Sequence, residues 1–305
     1  MKENYLSISL LITIFFVALA SGCNTVSYRS GSSSLQSLGV SSLHSHIASS
    51  AATAINQILN DPNFKDITPE QEYYLGRTIA ANILSRYSIQ TNKPALTDYM
   101  NNICNTLVIN SPRPEIFDGY RVVILDTDEI NSFATTGGHI FITRGLIDCA
   151  TSEDSLAAII AHEIAHIQLR HGFASVTQIR INQALNDVIQ GAVVAGTDYT
   201  PGEIEETFDS SVSMFINTLL NGYNREQEFE ADRFAMSIMA LTGYEPSAFI
   251  DMLKVLEKNQ PGSQGGFNNT HPTPAQRITN VQVTVRNHDI PNTRSYRTAR
   301  YASVR

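Results

Sequence analysis

Apolar residues recur at helical spacing over most of the chain, and two short stretches are rich in β-branched residues instead. Thr68, Pro69 and Gln71 supply a capping hydroxyl, a proline at the first helical position and a glutamine three residues after the cap, which predicts a helix start. The pattern predicts strands over residues 120–125 and 139–143, and helices over 68–87, 93–108, 152–171, 173–194, 204–220 and 223–241. Strands and helices do not alternate regularly, so we expect a mostly helical α+β fold with a small sheet.

The N-terminus carries the features of an export signal. Residues 6–20 form an uncharged apolar stretch that is short for a membrane span and fits the apolar region of a secretory signal. Small residues then lead into Cys23, which resembles a bacterial lipoprotein processing site and implies lipid attachment at that thiol. By resemblance to enterobacterial sorting, Asn24 after it favours the outer membrane. Ala18 and Ala20 also fit an ordinary cleavage site, which would leave a soluble periplasmic protein. We expect a periplasm-facing lipoprotein of the bacterial outer membrane, anchored to the bilayer by its N-terminal lipid.

Composition divides the chain into four segments. We expect a signal peptide over 1–22, a flexible Ser-rich tether over 23–50, a folded domain over 51–280 and a solvated basic tail over 281–305. The hydrophobic fraction of 42% over 305 residues is that of a globular protein. A net charge of −8 argues against a nucleic-acid partner, because phosphate binding requires a concentrated positive surface.

The predicted helix over 152–171 contains the motif His162-Glu163-x-x-His166. Residues four apart on a helix lie about 40° apart around its axis, so both imidazoles face the same side and can bind one metal ion. Glu163 lies about 100° from His162, at the edge of such a site, where it can act as a base on a water molecule at the metal. This spacing predicts one Zn²⁺ per chain.

A catalytic zinc site needs a third protein ligand. The best candidate is Glu228 on the predicted helix over 223–241, because Asp232 follows it four residues later on the same face and can orient a ligand histidine. Glu226 and Glu230 fall on other faces, where we expect solvated carboxylates.

The two motifs together resemble peptidase family M48, a family of zinc metalloproteases, and in particular its short lipoprotein members. The resemblance runs from about Thr68 to Ile278. It implies that His162, His166 and Glu228 bind zinc, that Glu163 is the catalytic base, and that Asp232 supports a ligand. It further implies an endopeptidase that cleaves misfolded or unassembled envelope polypeptides. The resemblance also makes the strand that begins at Gly138, with His139, Ile140 and Phe141, the sheet edge that pairs with an extended substrate.

His271 follows a Gly-rich loop and has three open interpretations. The resemblance implies that it approaches the zinc, either as a fourth ligand that latches the site or as a donor to the oxyanion; alternatively, it only fixes the loop. A latched site would suit a different function, that of a chaperone or assembly factor for outer-membrane proteins. We expect His139 to face the cleft or solvent and His171 to end its helix, and neither is assigned a role at the metal.

Two cysteines remain after lipidation of Cys23. Cys104 lies on the predicted helix over 93–108, and Cys149 lies just before the helix that carries the zinc motif. Because export leads to an oxidising compartment, we expect a disulfide between them, with two buried thiols as the alternative.

Overall fold

The structure, a computed structural model, describes residues 68–175, 222–259, 271–282 and 294–304. Its elements, in chain order, are α1 (Pro69–Leu84), α2 (Pro94–Ile109), β1 (Arg121–Leu125), β2 (Ser132–Ala134), β3 (His139–Thr143), α3 (Arg144–Cys149), α4 (Glu153–Gln168), α5 (Arg225–Leu241), α6 (Ser247–Asn259), α7 (Pro274–Val281) and α8 (Arg294–Val304). This arrangement confirms the predicted α+β fold class. The predicted signal peptide, the tether, the helix over 204–220 and nearly all of that over 173–194 lie outside the described residues. Within these ranges, no helix is both long and apolar enough to cross a membrane.

The central strand of the sheet is β3. It pairs in parallel with β1 and in antiparallel with β2, where Phe133 lies opposite Phe141. The prediction that Gly138, His139, Ile140 and Phe141 form a substrate-binding edge is therefore wrong, because β3 carries a partner strand on both sides. Among the described strands, β2 lies at the edge on this side of the sheet.

Two glycines make the connection between β2 and β3. Gly137 and Gly138 have φ angles of 82° and 97°, a region that favours glycine. A Cβ atom on Gly137 would come within 2.6 Å of the Cα of Tyr73, so α1 packs directly against this turn. The turn folds residues 132–134 back along β3 as a strand of only three residues, in the stretch between the two predicted strands.

Helix α4 lies at the centre of the core. Ser152 caps it by accepting a hydrogen bond from the backbone N–H of Ser155 at 3.1 Å. All sixteen of its residues are buried, because α2, α5 and α6 pack around it and β2 lies alongside. The polar side chains of α4 therefore face other protein groups.

The C-terminal residues differ from the predicted solvated tail. Residues 294–304 form α8, and Arg297 on this helix is only 6% exposed. Its Nε donates to Asp154 Oδ2 at 3.0 Å, and Arg300 forms a second ion pair with Glu153. The hydroxyl of Tyr301 donates to the carbonyl of Ala150 at 2.6 Å. The basic residues therefore neutralise two acidic side chains in the first turn of α4, and the prediction of a solvated tail is wrong for these residues.

Replacing Arg297 with alanine is expected to lower the free energy of unfolding by about 3 kcal/mol, because the substitution leaves the Asp154 carboxylate buried without its ion partner. This is the lower end of the cost for a buried pair, since Asp154 keeps a hydrogen bond from the backbone N–H of Glu245 at 2.9 Å. Urea unfolding of the two proteins measures the difference. Arg294→Ala removes an exposed arginine from the same helix and should change stability by less than about 0.5 kcal/mol. Equal losses in both variants would contradict the prediction.

The predicted disulfide is also wrong, because Cys104 and Cys149 are both free thiols. Both side chains belong to the hydrophobic core, and Cys149 accepts a hydrogen bond from the side-chain amide of Asn259 at 3.4 Å. Burial raises the pKa of Cys104 to about 12 and also raises the pKa of Cys149. The two cysteines therefore act as small apolar core residues.

Candidate active site

Four buried side chains converge between α4, α5 and the chain just before α7. His162 and His166 lie one turn apart on α4, and their Nε2 atoms are 3.1 Å apart. Each Nε2 atom lies 3.5 Å from a carboxylate oxygen of Glu228 on α5. His271 adds its Nδ1 atom, 2.5 Å from Glu228 Oε2. One donor atom from each of the four side chains lies within 4.8 Å of the others.

The charges at this cluster favour a cation. Burial by itself would raise the pKa of Glu228, but the imidazoles of His271 and His166 hold it well below its ordinary value, so the carboxylate is ionised. Burial lowers the pKa of His166 well below its ordinary value, which leaves this imidazole neutral, the form that binds metals. Burial also disfavours a charge on His162, yet hydrogen bonds to Asp232 and Glu228 raise its pKa to about 9. The carboxylates of Glu228 and Asp232 thus favour a positive charge at the cluster.

The donor set fits a zinc ion. Glu228 Oε1 is buried and accepts no hydrogen bond from the described residues, although the imidazole of His166 lies beside it. A buried carboxylate oxygen without a donor is costly unless a cation binds it. Two imidazole nitrogens and one carboxylate oxygen are a ligand set of catalytic zinc sites, and His271 offers a fourth donor.

A second layer of side chains holds His162. Asp232, one turn after Glu228 on α5, places Oδ1 2.9 Å from His162 Nδ1, as the four-residue spacing predicts. Arg277 on α7 binds the same carboxylate through two hydrogen bonds, from Nε to Oδ2 at 2.9 Å and from Nη2 to Oδ1 at 2.6 Å. Arg277 is only 1% exposed, and its Nη2 atom also lies 3.1 Å from His162 Nδ1. Arg277 lies within the stretch that resembles the family, but no sequence pattern predicts its contact with Asp232.

His166 is held by His171, for which we predict no role at the metal. The helix is predicted to continue to His171, but α4 ends at Gln168 because Arg170 adopts a left-handed φ of 58°. After this reversal, His171 Nδ1 lies 2.9 Å from His166 Nδ1, and its Nε2 lies 3.4 Å from Glu230 Oε2. Glu230 is exposed, as predicted, but its carboxylate also contacts His171 behind the cluster.

Glu163 lies beside the cluster and next to β2. The hydroxyl of Ser132 donates to Glu163 Oε1 at 2.7 Å, which fixes the orientation of the carboxyl group. Ser132, His162 and Glu163 line a small cavity of about 20 Å³ whose other walls are mostly apolar and include Phe249. That volume exceeds the roughly 10–15 Å³ that one water molecule needs. The cavity that Glu163 lines is therefore large enough for one water molecule.

The residues predicted for the substrate edge lie elsewhere. His139 is half-buried, its ring stacks on Tyr73 at a centroid distance of 5.7 Å, and its Nδ1 lies 3.3 Å from the hydroxyl of Thr135. Ile140 and Phe141 are buried in the core clusters on the two faces of the sheet. None of these side chains belongs to the four-residue donor cluster.

The sequence of the chain is similar to those of known peptidases. The model of peptidase family M48 matches residues 94–285. The chain is 28% identical to a putative beta-barrel assembly-enhancing protease of Vibrio cholerae over 228 residues, which are 73% of this chain and 46% of the relative. It is 26% identical to the metalloprotease LoiP of Escherichia coli K12 over 196 residues, 63% of this chain and 73% of LoiP.

A more distant relative comes from a eukaryote. The mitochondrial metalloendopeptidase OMA1 of Schizosaccharomyces pombe is 24% identical over 232 residues, 74% of this chain and 64% of the relative. The chain spans less than half the length of the assembly-enhancing proteases that it matches.

Proposed function

The chain belongs to peptidase family M48, and we propose that it is a zinc-dependent endopeptidase of the bacterial envelope. The observation that carries this proposal is the buried donor cluster of His162, His166, Glu228 and His271 with Glu163 at its margin. The cluster brings neutral imidazole and ionised carboxylate donors to one point. A purely structural core gains nothing from such an assembly, because a buried carboxylate oxygen that accepts no hydrogen bond, such as Glu228 Oε1 among the described residues, is destabilising.

In this proposal His162, His166 and Glu228 hold one Zn²⁺ per chain. The ion would supply Lewis acidity that polarises a scissile carbonyl and acidifies water. Asp232 accepts the Nδ1 proton of His162 and so directs the other ring nitrogen toward the cluster. Arg277 keeps that carboxylate in place through its paired hydrogen bonds.

Glu163 is the proposed general base. Its carboxylate takes a proton from the attacking water molecule and delivers that proton to the leaving amine. The hydrogen bond from Ser132 limits rotation of the carboxyl group, so the base is preorganised for both transfers.

An extended substrate would bind along β2, which replaces β3 in this role. Thr135 donates its backbone N–H to the carbonyl of His139 on β3 at 2.9 Å. In an antiparallel pair, bonded residues alternate with residues whose backbone groups point outward, and here those are Ser132 and Ala134. A substrate strand that pairs with these groups would run beside Glu163. All three residues of β2 are buried, so binding requires that the groups covering this edge move.

The envelope location rests on sequence features outside the described residues. Lipid attachment at Cys23 would anchor the protein to the periplasmic face of the outer membrane. Two of the relatives carry names that refer to beta-barrel assembly and to proteolysis. We therefore propose unfolded or misassembled envelope polypeptides as substrates.

His271 favours a second candidate function. Its Nδ1 lies 2.5 Å from Glu228 and within the donor cluster, so as a fourth ligand it would occupy the position that substrate needs. A protein latched in this way would act mainly as a chaperone or assembly factor for outer-membrane proteins.

The test compares zinc-loaded wild-type protein with His271→Ala, using a denatured outer-membrane protein and casein as substrates. We expect both proteins to cleave, and His271→Ala to cleave several-fold faster because its site lacks the fourth ligand. Cleavage by the variant alone would indicate a latched protease. If neither protein cleaves and both still bind the denatured outer-membrane protein, the chaperone function replaces the endopeptidase.

A further inference from the structure

Tyr223 connects the donor cluster to the sheet edge. It lies just before α5, and its ring stacks on the imidazole of His166 with a centroid distance of 4.3 Å and an interplanar angle of 20°. Its hydroxyl donates to the backbone carbonyl of Ala134 on β2 at 3.4 Å. One side chain thus contacts both a proposed metal ligand and the strand along which a substrate would bind.

The hydrogen bond from Tyr223 to Ala134 is long. Hydroxyl donors and oxygen acceptors in proteins usually lie about 2.7–2.8 Å apart. At 3.4 Å the phenol of Tyr223 is held weakly by its acceptor. It can therefore transfer its hydrogen bond to a stronger acceptor nearby.

The carbonyl of Ala134 is also one of the outward-facing groups of β2. A substrate strand that pairs with this edge would donate a backbone N–H to that carbonyl and so replace the tyrosine hydroxyl. Substrate binding would therefore release the Tyr223 hydroxyl from Ala134. The hydroxyl would then lie beside the bound substrate strand, where it could donate to a substrate carbonyl group. A carbonyl oxygen that becomes an oxyanion is a much stronger acceptor than a backbone amide oxygen.

We propose that Tyr223 is a catalytic residue whose hydroxyl donates a hydrogen bond to the scissile carbonyl oxygen as negative charge develops there. This inference rests on the proposed endopeptidase function. The phenol keeps its proton throughout: water forms the new bond to the carbonyl carbon, Glu163 carries the water proton to the amine, and the C–N bond breaks.

The variant Tyr223→Phe tests the role of the hydroxyl, because phenylalanine retains the ring that stacks on His166. With fluorescein-labelled casein we expect kcat to fall about 10²- to 10³-fold, the usual effect of removing one oxyanion donor, with little change in KM or zinc content. The matched control is Tyr120→Phe, which removes a hydroxyl that donates to the carbonyl of Arg113 at 2.7 Å, away from the donor cluster. We expect the control to keep its activity.

Direct binding supplies a readout that does not depend on turnover. A phosphinic-acid peptide with the sequence of the casein cleavage site mimics the tetrahedral oxyanion, and calorimetry should show that Tyr223→Phe weakens its binding by a factor similar to the loss in kcat. An unchanged or increased kcat, or equal affinity for the phosphinic peptide, would overturn the inference. Loss of zinc from Tyr223→Phe would also overturn it, because the residue would then position His166. If zinc-loaded wild-type and His271→Ala proteins both leave casein intact, the proposed endopeptidase function is wrong, and the inference about Tyr223 falls with it.

Discussion

Replacing Glu163 with glutamine is expected to reduce peptide-bond cleavage by about 10²- to 10⁴-fold while the protein keeps its fold and its zinc. Glutamine has nearly the same shape, and its side-chain oxygen can still accept the hydrogen bond from Ser132, which the carboxylate accepts at 2.7 Å. It cannot accept a proton from water or return one to the leaving amine. The substitution therefore removes proton transfer and leaves the fold, the zinc ligands and the hydrogen bond from Ser132 in place.

The measurement is kcat on labelled casein, with zinc content determined on the same samples. Glu257→Gln on α6 is a matched control, because it neutralises an exposed carboxylate and should leave the rate unchanged. Full cleavage by Glu163→Gln would show that another group is the base. A loss of activity accompanied by a loss of zinc would show instead that Glu163 acts through the cluster.

The part of the site that local spacing determines could be predicted from the sequence. His162 and His166 converge because helical geometry places residues four apart on one face, and Glu228 and Asp232 follow the same rule on α5. The rule does not show how two helices meet. The prediction that Glu228 joins the two histidines needed the family resemblance as well, and the packing of α5 against α4 places Glu228 Oε1 3.5 Å from His166 Nε2.

Other features were missed although a signal was present. Helix α7 begins at Pro274 after the cap residue Thr273, and the backbone N–H of Thr273 donates to the side chain of Gln276 at 3.3 Å. This T-P-x-Q pattern is the one that predicts the start of α1 at Thr68. Applied a second time, it would have placed a helix over the segment that carries Arg277.

The remaining errors concern features that have no local pattern. Strand β2 has three residues, too few for alternation to be recognised, and its pairing depends on the left-handed turn at Gly137 and Gly138. The approach of His171 to His166 depends on a left-handed Arg170, a conformation that arginine rarely adopts. The pairing of Arg297 with Asp154 joins residues 143 positions apart. Tertiary contacts of this kind cannot be read from composition, which is why the last segment was predicted as a solvated tail.

Replacing Glu228 with glutamine is expected to abolish zinc retention, and with it activity. Glu228 is fully buried and ionised, and both of its oxygens face imidazole nitrogens, so it supplies the only negative charge within the donor cluster as described. Glutamine keeps the volume but removes the charge that attracts the cation. With free zinc at about 1,000 times the dissociation constant, metal binding stabilises the native wild-type protein by about 4 kcal/mol, an increment that the variant should lack.

Two measurements check this expectation: zinc content after gel filtration, and thermal unfolding with and without a chelator. Chelation should lower the unfolding temperature of the wild-type protein and leave that of Glu228→Gln unchanged. Glu226→Gln removes an exposed carboxylate from the same turn of α5 and should behave like the wild type. If Glu228→Gln retained one zinc ion and responded to chelation like the wild type, then His162, His166 and His271 would suffice to hold the metal. Glu228 would in that case serve only as their buried counter-charge.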